Sequence, residues 1–304
     1  MPNNPNTIVI LFVAIIFFGY VFKKTGVLKI EDSRSLVNLI LYFTLPAVVL
    51  KTFYKAHIAY DMLWVFLISI GFGLFMTLAG IYFFRNNQDK SHKGLLMSSC
   101  LGFNIGLFAY PFIQAMWGDE GLLYLAIFDL GNAFVIFGAS YIVASSYSPT
   151  SNQVNYFGII KKLIIFVPLQ SYIIAIIFAF LPVTYPKIFL NFLDLVSGAN
   201  SVLVLLLIGM FLSFKISKED LRDAFKVLSL RYSAGIIVGL LVFFVLPFPP
   251  QVRNTVMLGL ILPIGMTIIP YSVMFNYDSK LAGTLVNLSC VISFALMWII
   301  IAFV

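Results

Sequence analysis

Three polar side chains stand out because nearly everything around them is apolar: Asn104, Asp129 and Asn132. A carboxylate inside an apolar segment is costly to keep there and is a functional candidate by default. Asp129 and Asn132 are one helical turn apart and share a helix face. Three kinds of chemistry are open to Asp129: taking up a coupling proton, ligating a cation such as sodium, or holding broken backbone nearby. Asn104 offers an amide for a substrate or for a neighbouring helix. It lies in Cys100-Leu-Gly-Phe-Asn-Ile-Gly-Leu-Phe-Ala-Tyr-Pro111, and a second stretch of similar kind is Leu262-Pro-Ile-Gly-Met-Thr-Ile-Ile-Pro270. Proline removes an amide donor and clashes with the preceding turn, so both stretches are expected to interrupt their helices. A helix restarting beyond each break aims its free amides and partial positive charge inward, which suits an anion without a buried basic side chain.

Enzyme chemistry finds no foothold. There is no HExxH, no GxSxG, no Walker loop and no Cys/His ligand spacing. No catalytic residue, cofactor or metal site is therefore expected, and the chain does not itself use ATP. His57 and His92 fall in loop-like positions, and Cys100 and Cys290 read as small buried hydrophobes. Asp194 is expected as a solvated residue opening a span, as is the Asp119–Glu120 pair. Arg231 and Lys51 are expected to snorkel to headgroups.

The elements that must position Asn104 and Asp129 follow from composition. The chain has 304 residues, of which 61% are hydrophobic and only 10% charged, with a mean hydropathy of +1.02. Soluble proteins are about 45–50% apolar and about 25% charged, so this composition leaves too little polar surface to cover a core. The long apolar runs favour membrane-spanning helices over the alternating pattern of a β-barrel. Residues 1–6 carry no basic cluster, and a cleaved signal peptide is not expected.

Apolar segments fall at 7–22, 35–53, 60–84, 94–116 and 120–146, then at 162–182, 188–213, 227–247, 254–275 and 280–303. Ten spans put Asn104 roughly 15 Å into the fourth, near the midplane, at about 1.5 Å per residue. With the N-terminus outside, only Lys51, Lys55, Lys187 and Arg253 of the 19 basic residues face outward. That asymmetry obeys the positive-inside rule and places both termini on the outer side of the cell membrane. It also explains the net charge of +7 as a topology signal rather than a nucleic-acid footprint. Five spans per half invert the second half against the first, as in many secondary transporters. The expected units are residues 1–148, a cytoplasmic linker at 149–158, and residues 159–304. The two broken spans, four and nine, occupy matching places in the halves, which points to a substrate site between them.

Four stretches resemble the auxin efflux carrier family, whose bacterial members include malate and malonate permeases. They are Asn38-Leu-Ile-Leu-Tyr42-Phe-Thr-Leu45-Pro46; Gly102-Phe-Asn104-Ile-Gly106 with Tyr110-Pro111; Gly118-Asp-Glu-Gly121 with Phe128-Asp129-Leu-Gly-Asn132; and Leu262-Pro263-Ile-Gly265-Met-Thr267 with Asp278-Ser-Lys-Leu-Ala282. Phe103 stands between a glycine and an asparagine that are often adjacent in the family, and Met266-Thr267 stand where many members carry an asparagine. The resemblance implies an all-α, NhaA-like fold of ten helices with crossed, broken helices 4 and 9. Spans 1, 2, 6 and 7 would form a scaffold, and spans 3–5 and 8–10 a transport domain. It implies secondary transport of small organic anions by elevator-type alternating access, in a homodimer within membrane lipid, with a proton or sodium ion as coupling partner. Substrate contacts carry over to Asn104, Gly106, Pro111, Pro263, Gly265 and Thr267, support to Asp129 and Asn132, and the scaffold side to Asn38, Tyr42 and Pro46. Alternatives of the same architecture are a sodium-coupled symporter of the bile-acid transporter type and a membrane sensor that keeps a transporter fold.

Overall fold

A computed structural model describes residues 5–54, 56–149, 157, 161, 164–181, 184–212 and 217–303. Nearly all of the linker expected at 149–158, and the start of the sixth span, lie outside the described residues. Those described form helices α1 (Pro5–Thr25), α2 (Ser33–Leu39), α3 (Leu45–Phe53), α4 (Met62–Phe83), α5 (Lys90–Ser99), α6 (Tyr110–Phe134) and α7 (Tyr141–Ser146). The chain continues with α8 (Val167–Phe180), α9 (Lys187–Phe211), α10 (Lys218–Phe244), α11 (Pro250–Gly259), α12 (Ile268–Met274) and α13 (Ser279–Phe303). No strand occurs among the described residues; a single antiparallel bridge joins Phe103 and Ile264.

Local chemistry accounts for where these helices start. Prolines stand in the first turns of α8 and α11, where a missing N–H costs nothing, and Pro46 and Pro111 follow the π turns that lead into α3 and α6. Asp89 caps α5 by accepting from the amides of Ser91 and His92, and Ser217 caps α10 by accepting from the amide of Asp220. Wider π turns at Ile40–Thr44, Ile105–Ala109 and Val135–Ser140 carry α2 into α3, open α6, and join α6 to α7.

Seven helical stretches are long and apolar enough to cross a membrane, so the protein is a multi-pass membrane protein. One of them, Ile105–Ser146, runs for 42 residues. At about 1.5 Å per residue that is twice the roughly 30 Å apolar core of a bilayer. The stretch breaks at Gly118, whose φ of 63° and ψ of −154° are open only to glycine. Two thirds of its most apolar window is buried, against 22% for α1, so α6 runs through the centre and α1 lies at the edge.

The helices pack in two groups. α1 lies along α9, and α3 packs on both α8 and α9. Gly19 and Gly209 let the backbones of α1 and α9 touch, since a Cβ on either would collide with the facing carbonyl. In the second group α4 lies along α6, α10 packs on α11 and α13, α5 on α7, and α12 on α13. α6 also reaches α3, α8 and α9, the π turn before it reaches α9, and α1 touches α13.

Candidate functional site

The centre of the second group is built from two interrupted helices. α5 ends at Ser99, and Gly102, with φ of 72°, turns the chain out of helical geometry into an extended segment. α11 ends at Gly259 and is likewise followed by non-helical backbone up to α12. The two segments pass each other in antiparallel fashion: Phe103 bridges Ile264, and the amide of Asn104 donates to the carbonyl of Pro263 at 2.9 Å. Extended backbone in the middle of a membrane protein must find its hydrogen bonds within the protein. Asn132 supplies them for Phe103, accepting from its amide at 2.8 Å and donating to its carbonyl at 2.9 Å. Ser289 on α13 does the corresponding work opposite, its Oγ accepting from the amide of Ile264 at 3.1 Å.

Arg231 closes this framework, and here the sequence-based expectation is overturned. Its side chain is fully buried rather than snorkelling. Nη1 donates to the carbonyl of Cys100 at 2.8 Å and Nη2 to that of Gly102 at 2.6 Å. Nη2 also lies 3.3 Å from the carbonyls of both Leu262 and Pro263, and the guanidinium sits 4.4 Å from the Phe103 ring centroid. Two helix C-termini converge here with unpaired carbonyls and partial negative charge, and a planar multidonor cation satisfies both. Depth along α10 made Arg231 look interfacial; the crossing brings the carbonyls to it.

Beside the crossing lies a cavity of about 140 Å³ lined by Asn104, Gly106, Asp129, Asn132, Gly265 and Thr267, among others. Asn104 is 4% exposed, and its Nδ2 has no hydrogen-bond partner. A buried amide donor left unpaired is rare and calls for an acceptor. Gly106 keeps the wall low, since a Cβ there would stand 2.9 Å from Leu45 Cδ2 and 3.9 Å from Asp129 Oδ2. Asp129 accepts from Asn132 Nδ2 at 3.2 Å and from the hydroxyl of Tyr172, on α8, at 2.6 Å. Tyr172 in turn bonds the hydroxyl of Tyr110. No Lys or Arg lines the cavity among the described residues.

Other expected positions fall elsewhere. Pro111 is buried in the first turn of α6 and does not line the cavity. Pro263 takes part through its carbonyl, in the crossing rather than in the cavity wall. Asn38 and Tyr42 are exposed and Pro46 is half-buried; from this stretch Leu41 and Leu45 reach the cavity instead. The second expected helix start, α12, has seven residues and a correspondingly weak dipole, so the amides at Ile105 carry that feature alone. Lys51 pairs with Asp194 at 2.8 Å, Asp194 standing two turns inside α9 rather than at its start. His92 is in the first turn of α5, 3.0 Å from Asp223, not in a loop. Arg231, Tyr110, Tyr172 and Ser289 were not singled out as site residues from sequence. Arg231 carried a usable signal, a lone cation inside an apolar run; tyrosines and serines are too common in membrane helices to carry one.

Broken helices crossing beside a largely apolar cavity with a few polar groups, within a bundle of membrane-spanning helices, are the architecture of a membrane transporter. A family model described as "Membrane transport protein" matches residues 6–301. The chain belongs to this family, that of the auxin efflux carriers. Among curated relatives, an uncharacterized transporter of Methanothermobacter thermautotrophicus is 22% identical over 284 residues, covering 92% of this chain and 91% of the relative. An uncharacterized transporter of Methanocaldococcus jannaschii is 28% identical over 224 residues, covering 70% of this chain and 71% of the relative.

Proposed function

We propose that this protein carries small organic anions, carboxylates such as malate or malonate or auxin-like acids, across the cell membrane by elevator-type alternating access. The observation that carries the reading is Asn104 Nδ2, a buried donor without a partner on a residue that lines the cavity. A carboxylate supplies the missing acceptor, and the free amides at the Ile105 helix start favour its charge. The apolar remainder of the wall, from Leu41, Leu45, Ile136, Phe137 and Met266, suits the carbon skeleton.

The moving parts belong to the same reading. The reading makes α1–α3, α8 and α9 the scaffold and the helices around the crossing the transport domain. In support, the cavity lies between the two groups, and no salt bridge joins them among the described residues. The ten-helix inverted repeat is part of the same proposal. It counts α5 with the start of α6, and α11 with α12, as the broken fourth and ninth spans, and divides the long stretch at Gly118. The matching tasks of Asn132 and Ser289 support it. A homodimer through the scaffold, with both termini outside, completes the reading; tags at either end are then accessible to antibody on intact cells.

Binding carries one constraint. Two like charges about 5 Å apart at an effective dielectric of about 20 repel by roughly 3 kcal/mol. A substrate anion beside ionised Asp129 therefore needs a coupling ion, which gives Asp129 its role in transport.

The test is a thermal-shift screen of the purified protein with malonate, malate, benzoate and indole-3-acetate. At least one should raise the melting temperature, and Asn104→Ala should weaken its binding about ten-fold or more, the worth of one hydrogen bond to a charged group. Absence of stabilisation by every acid, or an unchanged affinity in Asn104→Ala, removes the reading.

A further inference from the structure

Two charges lie at the core of the group that holds the crossing, and no partner of either is a charged side chain. Arg231 is 0% exposed and bonded to four carbonyls. Asp129 is bonded to Tyr172 and Asn132. They attend opposite sides of one short extended segment: Arg231 holds the carbonyl of Gly102, and Asn132, which Asp129 supports, holds both backbone groups of Phe103. The titratable groups facing Asp129 are Tyr110 on α6 and Tyr172 on α8; those facing Arg231 are Cys100 at the end of α5 and Tyr232 on α10 itself. From α2, α3 and α12 the cavity receives only uncharged groups, Leu41, Leu45, Met266 and Thr267 among them.

We propose that each substrate crosses as a monoanion together with one proton held on Asp129, so that the transport domain is electrically neutral both loaded and empty. This rests on the anion reading above. Empty, the domain carries Arg231 positive and Asp129 negative, and its core sums to zero. An entering monoanion adds one negative charge. One proton from water, bound at Asp129, restores zero, and its release on the far side, after the anion leaves, restores the empty state. A dianion would leave an excess charge, so a diacid crosses in its singly protonated form. Net charge in an apolar bilayer is costly, which is why equal neutrality of both forms matters to a domain that must travel in each direction.

The surroundings of Asp129 suit a proton better than a sodium ion. Its two oxygens are taken by donors, the Tyr172 hydroxyl and the Asn132 amide. A hydroxyl both donates and accepts. When Asp129 gains a proton it becomes the donor to Tyr172, which then donates to Tyr110, and the same chain of contacts serves both states.

The experiment uses the purified protein in liposomes with labelled benzoate, indole-3-acetate and malonate as probes. Counterflow exchange of a probe comes first; if no probe exchanges, the anion reading fails and this inference falls with it. With a probe that exchanges, an interior about one pH unit more alkaline should drive roughly ten-fold accumulation, the value for one proton per anion without net charge. Removing sodium or imposing a potassium diffusion potential should leave that figure unchanged. Accumulation driven by voltage or by sodium, or none with pH, overturns the inference while leaving the anion reading intact. In Asp129→Asn the empty domain keeps a net positive charge, so pH-driven net uptake should be lost; pH-driven uptake at the wild-type level overturns the proposal. Should that variant fail to fold, the wild-type comparison of pH, sodium and voltage decides alone.

Discussion

At the scale of single residues, a guanidinium buried without a carboxylate must be satisfied by dipoles, and Arg231 draws on four backbone carbonyls from two separate chain segments. Removing it takes a donor from each of those buried carbonyls, and only that of Pro263 keeps the Asn104 amide described above. Each buried polar group left unmet costs about 1–3 kcal/mol, so Arg231→Met should destabilise the protein by roughly 2–5 kcal/mol. Arg231→Lys, which keeps the charge but loses the planar fork, should fall between it and the wild type. Thermal unfolding in detergent checks the order; a methionine variant that melts with the wild type would remove the clamp from the account. Sequence alone exposed Asn104, Asp129 and Asn132, because polar side chains are scarce in apolar spans and each one is conspicuous. It misjudged Arg231, since distance from a span end is legible and the convergence of two helix termini is not. Tyr172 stayed hidden for a different reason: an aromatic residue in a membrane helix is ordinary until its hydroxyl is seen to meet a carboxylate.

Among the elements, the interruptions were legible and their consequences less so. Glycine and proline marked both crossings at 100–111 and 262–270, and the extended segments fall within those ranges. What composition could not convey was asymmetry. Beyond its crossing the first chain segment runs helically from Ile105 to Trp117 before Gly118 interrupts it, whereas α12 stops after seven residues, so the two half-helices are unequal sources of dipole. Nor could hydropathy say which face of α2 and α3 turns inward, and Leu41 and Leu45 reach the cavity where Asn38 and Tyr42 were expected. Gly118 offers a clean test at this level. A Cβ there would meet nothing within 4 Å, so Gly118→Ala is penalised by backbone conformation alone. The expected loss is about 1–3 kcal/mol, read as a lower unfolding temperature with anion affinity retained. A variant as stable as the wild type would mean that the chain does not turn through this conformation.

In the molecule as a whole, multi-pass character was accessible from hydropathy, but the pairing of helices was not. That α1 lies on α9 and α6 on α4 depends on side-chain fit that periodicity does not encode. The pairing leaves two bodies that meet at the cavity, where Tyr172 bonds both Tyr110 and Asp129 across the boundary. If one body slides past the other, tying them together must stop the cycle. Leu45 and Gly106 face each other across the boundary, a Cβ on Gly106 standing 2.9 Å from Leu45 Cδ2. Leu45→Cys combined with Gly106→Cys should cross-link under oxidation and abolish exchange, with recovery on reduction. Full exchange in the cross-linked protein would exclude relative motion of the bodies as the transport step.

The cavity is thus a seam, with one wall belonging to each body. On the proposed reading, a compact acid rides with the crossing and lets go of Leu41, Leu45 and Tyr172, whereas an acid whose tail stays lodged among those three side chains grips both bodies at once. On that reading length separates cargo from blocker, and the same carboxylate anchor serves either fate.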